Sequence, residues 1–304
     1  MTDPQRLPAR ESSVNHGTGA HIRANGIRQH YLHFPGAGPA IQIIPGIVSP
    51  AILWRHVGEW LSPTRTHTHT QTPDCYILDV RGRGLSEAGP HLDYGVDACA
   101  QDVIAFAKAK NLQHPILLGH SMGGRIALRA ATLAPSLFSH LVLVDPPTSG
   151  PGRRPYPVPK TRTVDLLRAA HRGEALAAIR RSSATPWPDD LQQLRAEWLS
   201  TCDERAVHVA YDDFHNEDMF ADLARTKEPI TLLCAGDGGV VSDDDIAEMK
   251  QLRGDLHVTR LAGVGHQMQA ENFEAFKQAL AGILEPSLPG VHAAHTDSSG
   301  GVST

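Results

Sequence analysis

Gly119-His120-Ser121-Met122-Gly123 is a G-x-S-x-G string, preceded by the apolar run Ile116-Leu117-Leu118 and followed by a helical pattern over Gly124–Leu133. That context, strand then tight turn then helix, is the one in which such a serine is pushed clear of the backbone as a nucleophile. A serine hydroxyl is weak at neutral pH and needs an oriented base. His266, in Gly263-Val264-Gly265-His266, lies late in the chain between the pattern Leu256–Leu261 and the helical run Phe273–Leu284. Chain order and the flanking glycines make it the expected base. His140 precedes a strand and His215 falls in a helical stretch, while His120 reads as packing beside the nucleophile. An acid must hold the imidazole tautomer, and two aspartates end strands in the right region: Asp145 after Leu141–Val144, and Asp237 after Ile230–Cys234. Asp237 sits in the more usual slot for this chemistry, and Asp145 ends the strand after the nucleophile's helix, so spacing leaves both open. Developing oxyanion charge needs two backbone N–H donors. Met122, directly after the serine, and Ile47, in Pro45-Gly46-Ile47-Val48, are the candidates; Pro45 has no N–H to give.

The elements that must carry these residues are legible as short apolar runs alternating with helical patterns. Ile41–Ile44, Cys75–Leu78, Ile116–Leu118, Leu141–Val144 and Ile230–Cys234 read as strands, with Leu256–Leu261 a weaker sixth. Continuous apolarity over four to six residues fits strands covered on both faces, and strand–helix alternation implies right-handed crossovers in a mostly parallel sheet. The fold class is therefore α/β. Residues 146–229 hold no convincing strand but carry helical patterns at Thr163–Ile179, Leu191–Thr201 and Glu204–Phe214. Such an excursion is expected to form a helical lid over the carboxyl ends of the strands, where open α/β sheets bind ligands. The division that follows is a core of 21–145 and 230–285, a lid of 146–229, and disordered tails at 1–20 and 286–304.

Composition narrows the class. The 304 residues carry 28 Lys+Arg against 33 Asp+Glu, a formal charge of −5, which offers no footprint for nucleic acid. No apolar stretch is long enough to span a membrane, and the polar start lacks a signal-peptide h-region, so a cytoplasmic protein is expected. Cys75, Cys99, Cys202 and Cys234 lack CxxC spacing and read as small buried hydrophobes. Thr66-His67-Thr68-His69-Thr70 could put both imidazoles on one strand face, yet no third ligand lies beside it; a solvated loop is the better reading, and no metal is expected.

A wider resemblance adds what spacing leaves open. ANGIRQHYL (24–32), PGIVSPAILW (45–54), LDVRGRGLS (78–86), LDYGVDACA (92–100), GHSMGGR (119–125), LVDPPTSGPGRRPYP (143–157), RAEWLSTC (195–202), DDFH (212–215) and GGVVSDDDIAEM (238–249) resemble the N-formylmaleamate deformylases of aerobic nicotinate degradation, within the α/β-hydrolases. The likeness runs from about Ile22 to Ile283, and the string around Arg153-Arg154 is more specific than G-x-S-x-G. It implies an α/β-hydrolase fold with a lid after strand six. It also implies a triad of Ser121, His266 and Asp145, the acid following the sixth strand as in the similar acetamidomethylene-succinate hydrolases. No cofactor is implied. The reaction it implies is attack of Ser121 on the formyl carbon, release of maleamate, and hydrolysis of formyl-serine to formate.

The implied substrate is a small anion, so its pocket should hold a cation or several donors. Arg153 and Arg154 are the expected carboxylate ligands, with a solvated surface role the plain alternative. Trp54, Tyr156, Trp198 and Phe214 are expected walls. Arg81 and Arg83 are expected to shape the loop beside the nucleophile. Gln267-Met268-Gln269-Ala270 is more polar than the family there, which bears on substrate preference, and 64–73 reads as a polar surface insertion. A sister hydrolase for another N-acyl substrate or an ester is the nearest rival. Ser121 argues against an aspartate-nucleophile dehalogenase, and the intact constellation against a non-catalytic binding protein.

Overall fold

The computed structural model describes residues 17–63, 72–182 and 187–286. The histidine run, most of the 64–73 insertion, most of the N-terminal tail and residues 287–304 lie outside the described residues. Eight strands form one sheet: β1 (Thr18–Ala24), β2 (Ile27–Phe34), β3 (Ala40–Ile44), β4 (Asp74–Leu78), β5 (Ile116–His120), β6 (His140–Val144), β7 (Ile230–Ala235) and β8 (His257–Leu261). Their order is β1-β2-β4-β3-β5-β6-β7-β8. From β4 to β8 every pairing is parallel, and the β1–β2 and β2–β4 pairings are antiparallel.

The buried runs behave as two-faced strands. Ile41 and Ile43 of β3, and Val142 and Val144 of β6, pack on one face against α1 (Arg55–Leu61) and the late helices α10 (Met268–Glu271) and α11 (Phe273–Leu284). Ile44, Leu141 and Leu143 face the other side, against α2 (Val96–Ala109) and α3 (Met122–Leu133). Period-two alternation thus sends successive apolar residues into two separate cores, which is why these strands read as unbroken apolar runs. α9 (Asp243–Leu252) opens on Ser242, whose hydroxyl accepts the Asp245 N–H in a capping box.

Two expectations need correction. The hairpin β1–β2 went unread because its outer strand is largely exposed and polar; β1 begins at Thr18, so residues 18–20 belong to the sheet and not to a tail. Its turn, Asn25-Gly26, has φ of 50° and 74°, the paired positive values that a two-residue hairpin turn demands. The single helix expected over Thr163–Ile179 is two, α4 (Lys160–His171) and α5 (Ala175–Ser182), because Gly173 takes φ 77° and ends the first. The expected sixth strand is present as β8, an edge strand whose partly exposed side chains account for its mixed composition.

Between β6 and β7 lie α4, α5, α6 (Asp189–Trp198), α7 (Glu204–Asn216) and α8 (Met219–Arg225), with no strand among the described residues. The last of these belongs to the sheet layer: Met219, Phe220 and Leu223 join the core around α3, and Arg129 of α3 bonds Asp222 at 2.7 Å. No helix among the described residues is long and apolar enough to cross a membrane. All four cysteines are free and buried.

Candidate active site

The turn after β5 sets Ser121 at φ 52° and ψ −122°, a conformation costly for any residue with a side chain. Two glycines permit it. A Cβ on Gly119 would strike the Gly123 carbonyl, and one on Gly123 would strike the Ile44 carbonyl of the neighbouring strand. Gly123→Ala is therefore expected to cost about 3 kcal/mol or more, lowering the melting midpoint by about 5 °C or more. An unchanged midpoint in a circular-dichroism melt would contradict this packing.

The imidazole of His266, on the loop between β8 and α10, bridges the two other residues. Its Nε2 lies 3.1 Å from Ser121 Oγ and its Nδ1 2.6 Å from Asp145 Oδ2. Asp145 is completely buried and also accepts the N–H groups of Ala235, at 3.3 Å, and Val240, at 3.1 Å. Burial pushes its carboxyl up, but the hydrogen bond and charge of His266 and those two N–H groups outweigh it and hold the carboxyl below its ordinary range. Asp145 thus stays ionised beside the imidazole. Asp237, the other aspartate, is exposed on the rim of the cavity, and its backbone N–H bonds Val264. A serine, an imidazole and a carboxylate in this order can pass the serine proton to Nε2 while the carboxylate stabilises the imidazolium.

Met122 opens α3, so its N–H is one that the helix leaves without an internal partner. Ile47 lines the cavity in front of Ser121. A fully buried guanidinium ties the two together: Arg83 donates to the Ile47 carbonyl at 3.1 Å and to Met122 Sδ at 3.5 Å. Arg81 pairs through both nitrogens with Asp102 at 2.6 Å. Both arginines shape the loop beside the nucleophile, as expected.

Ser121 and His266 open onto a cavity of about 330 Å³. The expected wall Tyr156 lines it, with its buried phenol driven above its ordinary pKa by burial and by the Asp145 charge. The other expected ligands are elsewhere. Arg153 forms a two-pronged pair with Glu248, at 2.6 and 2.7 Å, and lies over the Phe220 ring. Arg154 bonds the Val240 carbonyl and Asp245. Carboxylates of α9 take both guanidinium groups. Trp54 is buried beneath the site against His120, and Phe214 packs behind Tyr156 with ring centroids 5.0 Å apart. Trp198, half-buried on α6, is not among the residues lining the cavity.

The cations on the cavity are Arg162 of α4 and Arg195 of α6, with Trp187 beside them. The Arg195 guanidinium stacks on the Trp187 ring at 4.6 Å, and no carboxylate among the described residues pairs with it. Arg195 opens the string RAEWLSTC that sequence reading singled out, but the direction of each side chain depends on how α6 docks. Among the described residues no cluster of His, Cys, Asp and Glu could hold a metal.

An eight-stranded, mostly parallel sheet with a serine on a strained strand-to-helix turn defines a class, and the chain belongs to the α/β hydrolase family, whose pattern it matches over residues 35–279. Within it the chain is 47% identical over 270 residues to an N-formylmaleamate deformylase from Pseudomonas putida, spanning 89% of this chain and 97% of the relative. The crystal structure of an N-formylmaleamic acid deformylase from Pseudomonas putida matches with a TM-score of 0.80 at 44% identity, covering 86% of this chain and 100% of that one. An E-2-(acetamidomethylene)succinate hydrolase structure matches with a TM-score of 0.72 at 22% identity, covering 89% of this chain and 100% of that one, a likeness of fold.

Proposed function

We propose that this protein is a serine hydrolase that cleaves the formyl C–N bond of N-formylmaleamate, giving maleamate and formate. Ser121 Oγ attacks the formyl carbon while His266 Nε2 takes its proton, and Asp145 holds the imidazolium. The N–H groups of Met122 and Ile47 receive the oxyanion. Collapse of the tetrahedral intermediate breaks the C–N bond as His266 returns the proton to nitrogen, releasing maleamate and leaving formyl-Ser121. A water that gives its proton to His266 then attacks the ester, formate departs, and the proton returns to Ser121. The leaving nitrogen is already acylated by the maleyl carbonyl, which makes it a better leaving group than an amine.

The observation that carries this reading is the meeting of two chemistries in one cavity: Ser121 and His266 with Arg162 and Arg195. The first pair suits acyl transfer, and the second suits the carboxylate at the substrate's far end. Support for the substrate comes from the 47% identity to a deformylase across nearly its whole length. In this reading α4 to α7 act as a lid over the cavity, and the enzyme works in the cytoplasm on nicotinate breakdown without a cofactor.

The test is formate release from N-formylmaleamate by the purified protein, read with a formate dehydrogenase coupled assay. Stoichiometric formate and maleamate support the proposal. Hydrolysis of p-nitrophenyl acetate without formate release would retain the serine chemistry and discard the substrate.

A further inference from the structure

His266 sits on a loop that is soft by composition, with Gly263 at φ 72° and Gly265 directly before it. Glycine widens the backbone's choices, and displacement of a catalytic group by about 1 Å costs on the order of a hundredfold in rate. Asp145 orients the imidazole ring, but nothing in the Ser121–His266–Asp145 chain holds the backbone that carries it.

Two side chains outside that chain do. Glu271 of α10 reaches back so that Oε2 accepts the Gly265 N–H at 2.8 Å and Oε1 accepts the Gln267 N–H at 3.2 Å. The carbonyl of His266 itself accepts a hydrogen bond from His120 Nε2 at 2.9 Å. The backbone is thus gripped at 265, 266 and 267 by a carboxylate and an imidazole. Glu271 is anchored because Met268, on the same short helix, is fully buried in the core below. Gly265 leaves the carboxylate its place, since a Cβ there would lie 2.6 Å from Oε2. His120 is wedged between the Trp54 ring, at 5.5 Å, and the His266 ring, at 4.9 Å. Burial, and then the neighbouring His266, push its imidazole down to about 3, so it is neutral and has one N–H to give. With that proton on Nε2, Nδ1 is buried and has no partner among the described residues. An orphaned ring nitrogen is a cost that plain packing would not retain, since an apolar side chain could fill the same space.

We infer that Glu271 and His120 are positioning residues that clamp the loop and hold His266 in register with Ser121, without touching the reacting atoms. The inference rests on Ser121 and His266 being the nucleophile and base. It goes beyond that reading by assigning roles to a residue read as packing and to one not singled out in the sequence. Because Glu271 also lines the cavity, the rival role is direct contact with substrate.

The experiment measures two rates for wild type, Glu271→Ala, Glu271→Gln, His120→Leu, His120→Gln and the double variant Glu271→Ala/His120→Leu. One is covalent labelling of Ser121 by a small fluorophosphonate; the other is formate release, resolved into kcat and KM. Labelling needs only the serine and its base, so it tests the clamp even if wild type releases no formate, a result that would discard the substrate alone. Glu271→Ala and His120→Leu are each expected to slow labelling and lower kcat by about tenfold, with KM within about twofold. The glutamines, which keep one acceptor or one donor, should recover to within about threefold of wild type. The double variant should lose less than the product of the single losses, because both act on one loop. Wild-type labelling by folded Glu271→Ala would overturn the clamp, as would a rise in KM at constant kcat. If His120→Leu does not fold, the Glu271 pair carries the decision, with melting midpoints confirming that those variants are intact.

Discussion

Ser121→Ala is expected to lower kcat for formate release by about 10⁴-fold or more while leaving the melting midpoint within a few degrees. The size follows from chemistry: without the hydroxyl no acyl-enzyme forms, and only the oxyanion donors and substrate binding remain to accelerate attack by water. Stability should hold because the substitution removes only the hydroxyl's hydrogen bonds to His266 and Tyr156, and alanine accepts the same strained turn. Asp145→Asn should lose about 10⁴-fold as well, for a different reason. An amide in this buried position can offer its N–H₂ to Nδ1 and so favour the wrong imidazole tautomer, with the proton on the nitrogen that must accept it from Ser121. Asp237→Asn supplies the contrast. Its carboxylate is exposed on the rim and is not the partner of His266, so kcat should stay within about threefold. Steady-state kinetics on the three variants decides the matter. A large loss in Asp237→Asn with little in Asp145→Asn would overturn the assignment of the acid.

Arg195→Leu is expected to raise KM for N-formylmaleamate by about a hundredfold, with kcat changed only a few-fold. The guanidinium is partly open to the cavity yet densely surrounded, and burial brings its pKa down to about 10. It therefore remains charged at neutral pH but has lost much of its water, and the Trp187 face at 4.6 Å is a weak replacement. A desolvated cation of this kind gains most from an anion. A charge-assisted hydrogen bond is worth about 1.5–3 kcal/mol, or roughly ten- to a hundred-and-fifty-fold in binding. Two further signs follow. Hydrolysis of neutral p-nitrophenyl acetate should be little affected, since it presents no carboxylate. Thermal stability should hold or rise, because leucine removes a charge whose desolvation no acid among the described residues offsets. Arg195→Lys should recover only part of the affinity, for lysine lacks the planar fork that meets a carboxylate with two bonds. An unchanged KM in Arg195→Leu would remove this residue from the substrate site.

Some of this was written in the chain's order. A strand, a G-x-S-x-G turn and a helix specify a projecting serine from local backbone chemistry alone, and a late histidine between glycines follows from the order of elements. The strands were legible because burial on both faces leaves an unbroken apolar run. The outer hairpin was not, because an exposed edge strand needs no such run, and only Asn25-Gly26 marked it. Asp145 and Asp237 are alike in spacing, and only the family resemblance favoured Asp145; in space the ends of β6 and β7 deliver one carboxylate into a nest of N–H groups beside His266 and the other onto the rim. Arg153 and Arg154 were conspicuous but fell within reach of Glu248 and Asp245, while Arg162 and Arg195, which the sequence did not mark as ligands, both line the cavity. The reason is general. Local sequence determines backbone conformation within a few residues, whereas the partners of a long charged side chain are set by the docking of elements distant in the chain. The turn that projects Ser121 and the late loop that carries His266 were therefore readable from the sequence, whereas the carboxylate that meets His266, the arginines that reach the cavity and the side chains that bond the His266 loop depend on the tertiary structure.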